Sequence, residues 1–117
     1  MSYPADQIAV LKGYCSQVSL LTESGQPYLL LEGLQLPNGC EPPSCDALLR
    51  TWQGADGYPS QLFFSVQVKS SCARNWNVFN VRLCERNWFA FSWRVTLPSP
   101  TLSEILVGHL TGFIKEG

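Results

Sequence analysis

The chain reads as an α+β domain: a short N-terminal helix, an antiparallel meander of about four strands, an irregular or hairpin Trp-rich region, and a C-terminal helix packed on the sheet. Three observations predict this. Apolar residues alternate at period two in several short runs between turn formers, a helical apolar stripe follows a capping box near the C-terminus, and Pro4 and Gly13 bracket a short apolar segment at the N-terminus.

At 117 residues and 13.0 kDa the chain supports one hydrophobic core, so residues 1–117 are expected to form a single domain. Apolar residues make up 45%, charged residues 15% and aromatic residues 12%, enough buried surface to offset chain entropy.

Taken in order, Pro4 to about Lys12 carries Ile8, Val10 and Leu11 and predicts the first helix, with Pro4 at the first helical position and Gly13 just past the last turn. Gln17–Thr22 and Pro27–Leu36 predict two strands joined by the polar turn Glu23-Ser24-Gly25-Gln26. Pro37–Ser44 is rich in turn formers, and Asp46–Trp52 predicts a third strand. The loop Gln53–Ser60 leads to Leu62–Val68, where Phe64, Val66 and Val68 alternate with polar residues and predict a fourth strand with one buried face.

Beyond the polar stretch Lys69–Asn75, Phe79, Val81 and Leu83 alternate with Asn80 and Arg82, and Phe89, Phe91, Trp93 and Val95 alternate with Ala90, Ser92 and Arg94. Extended structure is expected here, with Glu85-Arg86-Asn87 as the turn. In the last element Thr101 and Glu104 have capping-box spacing, and Leu102, Ile105, Leu106, His109, Leu110 and Phe113 form one helical stripe. There is no internal repeat.

A net charge of −1 with scattered Lys and Arg argues against nucleic acid and anionic membrane surfaces as partners. No run approaches the roughly 18 apolar residues that span a bilayer, and the first residues lack a basic-then-apolar signal pattern, so a cytoplasmic location is expected. Five cysteines at irregular spacing are then expected as reduced thiols.

The order of elements around Gly57-Tyr58-Pro59 resembles that of ubiquitin-conjugating enzymes, whose Tyr-Pro turn precedes the fourth strand. Trp93 through Leu110 resembles the Trp, Pro-containing loop and following helix of that family. The Trp-rich stretch Asn87–Trp93 is similar to that of compact bacterial members found beside activating enzymes and ubiquitin-like proteins. The resemblance covers nearly the whole chain.

It implies a cysteine that carries a ubiquitin-like C-terminus as a thioester and an Asn that steadies the oxyanion, with an activating enzyme and a ubiquitin-like protein as partners and no cofactor. Counted from the Tyr-Pro turn, the Asn falls at Asn75 and the cysteine at Cys84, with Trp93 nine residues further on. The family's His-Pro-Asn triplet is replaced by Ala73-Arg74-Asn75, and the second proline pair by Ser60-Gln61-Leu62.

Each candidate also has a structural reading. Cys84 ends an apolar run and is equally a packing or turn residue, unless Arg82 and Arg86 face it and lower its pKa. Cys72, near Lys69 and Arg74, is the alternative thiolate. Cys40 and Cys45 could join Cys72 and Cys84 around zinc, although their spacing is loose. His109 lies on the apolar stripe of the last helix and reads as a satisfied core imidazole. Ser92 reads as structural. Trp76, between Asn75 and Asn77, is expected to be the most exposed of the four Trp. A non-catalytic binding module of the same fold is the competing class.

Overall fold

The computed structural model describes residues 3–72 and 74–114. Its architecture is α+β, with helix α1 (Ala5–Leu11), strands β1 (Gln17–Glu23), β2 (Gln26–Gln35), β3 (Ser44–Arg50), β4 (Gln61–Phe64), β5 (Trp76–Leu83) and β6 (Arg86–Phe91), helix α2 (Leu102–Leu110), and a 3-10 turn at Thr111–Phe113. The strands form one sheet in the order β1-β2-β3-β4-β6-β5, every neighbouring pair antiparallel. The meander is therefore β1 to β4, and the Trp-rich region is a hairpin that brings the count to six.

Pro4 takes the N-cap of α1, one position before the expected one, and its carbonyl accepts the Gln7 and Ile8 N–H groups. The capping box of α2 forms in full: Thr101 Oγ1 accepts from Glu104 N–H and Glu104 Oε1 accepts from Thr101 N–H at 2.8 Å. These bonds satisfy two of the orphan donors of a helix start. The predicted stripe is the buried one, with Leu102, Ile105, Leu106, His109 and Leu110 inward, and Phe113 follows them from the 3-10 turn.

The sheet is apolar on both faces. On one, Leu29, Leu31, Ala47, Leu49, Leu62, Phe64 and Phe91 pack under the two helices; on the other, Tyr28, Leu48, Phe63, Trp88 and Ala90 form a second cluster. This explains why Gln61–Phe64 is buried at every position and why Leu62-Phe63-Phe64 is a continuous apolar run. The expected fourth strand is cut short at Phe64, and Val66 is exposed.

The second cluster is covered by curvature. Glu23, at the end of β1, accepts the Cys84 N–H at 2.7 Å through Oε1, and Arg86 of β6 reaches Asp46 of β3 at 2.9 Å. The two outermost strands are thus tied at one end, and Trp88 is fully enclosed, its Nε1–H donating to Leu83 O at 2.9 Å.

Register shifts in β5 at Trp76/Val78 and Val78/Val81 correct the expected alternation. Val78, Val81 and Leu83 reach the second cluster, whereas Phe79 points outward. Trp76 is not the exposed Trp that its polar neighbours suggest. It packs edge-on against Phe91 at 5.0 Å and Phe64 at 5.9 Å, within an aromatic group that includes Phe113.

Candidate functional site

The Tyr-Pro loop between β3 and β4 is organised by a buried arginine. Arg50 ends β3 and sends Nη1 and Nη2 to the two carboxylate oxygens of Asp56, each at 3.1 Å, Nη2 also to Tyr58 O and Nε to Trp52 O. A Cβ on Gly54 would collide with this guanidinium, and Gly57 has φ +83°, so both glycines are required by the path of the loop. Burial raises the Asp56 carboxyl, but the hydrogen bonds from Arg50 and Tyr58 and the Arg50 charge outweigh it and hold the group below its ordinary value. Arg94 closes the outside, stacking on Tyr58 at 4.7 Å.

Beneath the loop Ser60 and His109 meet, Oγ to Nε2, at 2.8 Å, and both residues are almost wholly buried. Burial first, and the Arg50 charge second, pull the His109 pKa down to about 4, so the imidazole is neutral near pH 7. Ser60 also lines a cavity of about 210 Å³ with Thr51, Pro59, Val95, Leu97 and Ile105. The Ser60–His109 contact ties the loop to α2. The helical stripe places His109 in the core; its partner, 49 residues away, carries no local signal.

Cys84 lies in the turn between β5 and β6. The hairpin turn is Cys84-Glu85, not Glu85-Arg86-Asn87, and both turn residues are left-handed, at φ +52° and +65°. Leu83 pairs with Arg86 across this two-residue loop, the geometry that matches the twist of the flanking strands.

The thiol is half-buried in a depression lined by Leu21, Thr22, Glu23 and Glu85. Burial raises its pKa, and the Glu23 and Glu85 charges raise it further. Arg86, expected as a possible activator, is directed elsewhere, paired with Asp46 and laid over the Trp88 ring at 4.9 Å.

Asn75 is exposed and precedes β5, its carbonyl accepting the Ser92 N–H at 2.9 Å. Asn75 and Cys84 therefore flank β5 at opposite ends, roughly 25 Å apart along the strand. The structure does not bring them together.

Cys15 and Cys40 are buried, which raises both. Burial pushes Cys45 up to about 11 despite hydrogen bonds from Ser65. Cys72 is buried, with its carbonyl accepting from Ser70 Oγ. The four cysteines weighed as zinc ligands form no metal-binding group: among the described residues no three or more His, Cys, Asp or Glu are placed to hold an ion. Ser92 Oγ accepts from Asn77 Nδ2 at 2.7 Å. Among the described residues no helix is long and apolar enough to cross a membrane.

Comparison with protein-family models, with curated proteins and with solved structures returns no match.

Proposed function

We propose that this chain is a binding module of the ubiquitin-conjugating-enzyme kind, holding a ubiquitin-like protein or its activating enzyme without carrying the thioester itself. The order α1, four-strand meander and C-terminal helix, with Gly57-Tyr58-Pro59 between β3 and β4, supports the relationship. One observation carries the non-catalytic reading. The best-matching cysteine occupies a strained turn between two carboxylates, and the matching Asn lies at the other end of the strand. A transfer site needs a thiolate and an oxyanion donor within a few ångströms of one carbonyl.

A second reading keeps Cys84 as the acceptor. It is favoured by the part-open depression around the thiol, and requires the incoming activating enzyme to supply the positive charge that the chain lacks there.

Incubation with a ubiquitin-like protein, its activating enzyme and ATP separates the two. The binding module is expected to form a complex by light scattering that survives Cys84→Ala, with no reductant-sensitive adduct. An adduct lost in Cys84→Ala and kept in Cys72→Ala overturns that reading in favour of transfer.

A further inference from the structure

The free edge of β1 carries an inference that is independent of the proposed function. The seven residues of β1 pair with β2 without a register shift, and the connection is the two-residue turn Ser24-Gly25, with φ +53° and +78°. In such a hairpin the residues flanking the turn exchange both hydrogen bonds and the ladder then alternates. The N–H and C=O groups of Gln17, Ser19, Leu21 and Glu23 face β2; those of Val18, Leu20 and Thr22 face outward. β1 contains no proline, lysine, arginine or bulge, and its one charged residue, Glu23, stands at its last position, held by the Cys84 N–H.

The opposite edge is defended. β5 has two register shifts, a left-handed Asn80 at φ +55°, and Arg82. Edge-to-edge pairing is thus discouraged at β5 and open at β1.

From this contrast we infer that β1 pairs with β1 of a second copy of this chain, antiparallel, around a two-fold axis at Leu20. The segment is self-complementary in that register. Leu20 lies opposite Leu20 of the second copy, Val18 opposite Thr22, and Gln17 opposite Glu23, so that an amide donor meets a carboxylate rather than another acid. Glu23 keeps Oε2 for this contact, because Oε1 holds the Cys84 N–H.

The outward groups supply about six main-chain hydrogen bonds across the axis. Leu20, 51% exposed in the single chain, is covered by its counterpart, together with the hollow of about 290 Å³ that it lines with Tyr3, Ile8, Val18 and Leu29. A parallel pairing in register would set Glu23 against Glu23 and is disfavoured.

Light scattering of the full chain over a concentration series tests this. The mass is expected to rise from 13.0 kDa toward twice that value. Leu20→Lys is expected to weaken association by about tenfold or more with an unchanged circular dichroism spectrum, while Phe79→Lys on the other edge leaves it intact. Because facing Cα atoms of such a pair lie about 5.5 Å apart, within disulfide range, oxidised Leu20→Cys is expected to give a covalent dimer that wild type does not form. The inference is overturned by a chain that stays monomeric at near-millimolar concentration, by association that survives Leu20→Lys, by dissociation in Phe79→Lys, or by capture of only unrelated extended peptides.

Discussion

His109 is the residue where burial, charge and stability meet. Its imidazole is sealed between Ser60 and the core, with the Arg50 guanidinium close enough to oppose a second positive charge. The folded chain resists protonation, whereas the unfolded chain accepts a proton near pH 6.5. A depressed folded pKa contributes stability that is fully present above about 6.5 and is lost as pH falls toward about 4, a linkage of about 3 kcal/mol. Urea midpoints measured over the range from neutral pH down to the folded pKa of about 4 are expected to fall across that window, and His109→Gln, which keeps a polar group for Ser60, is expected to flatten the slope. The depressed Asp46 and Asp56 carboxyls act lower, below their ordinary value of 3.8, so the two effects separate along the pH axis.

Among the elements, the β5–β6 hairpin departs most from local expectation. Cys84 and Glu85 both occupy left-handed backbone, where side chains other than Gly, Asn and Asp are strained. The double substitution Cys84→Asn with Glu85→Gly, which installs the Asn-Gly pair that such two-residue turns favour, is expected to raise stability by about 1 kcal/mol, seen as a higher melting temperature with an unchanged fold. A fall in stability would mean that the Glu85 side chain holds the turn. Polarity points to Glu85-Arg86-Asn87 rather than to Leu83-Cys84, whereas the turn lies where Cys84 and Glu85 take positive φ, which polarity does not report. The capping box of α2, by contrast, is legible because both partners sit three residues apart on one turn.

At the scale of the whole molecule, the sheet has two apolar faces but, among the described residues, helices on only one, so the second face is closed by the curl that brings the β5–β6 turn to Glu23. Trp88 is the centre of that closure. Trp88→Ala removes the largest side chain of the second cluster and leaves a cavity, at a cost of about 3–5 kcal/mol by chemical denaturation. Amide exchange is expected to rise first in β5 and β6. Trp93→Ala, whose ring is only partly buried, is expected to cost less. Equal costs would place the main anchor of the hairpin on the α2 side, where Trp93 Nε1 donates to Gly108 O at 3.0 Å.

By itself the sequence determined the α+β class, the first helix, the places of the first four of the six strands, the C-terminal helix with its cap and buried stripe, and the position of the Tyr-Pro loop. These rest on periodicity and on contacts between residues a few positions apart, which a chain reveals locally. Only the tertiary structure decided that Arg50 organises that loop, that Ser60 meets His109, that Trp76 turns inward, and that Asn75 and Cys84 stand at opposite ends of one strand. Each depends on sheet order, a bulge or a left-handed turn, where one residue of register moves a side chain to the other face.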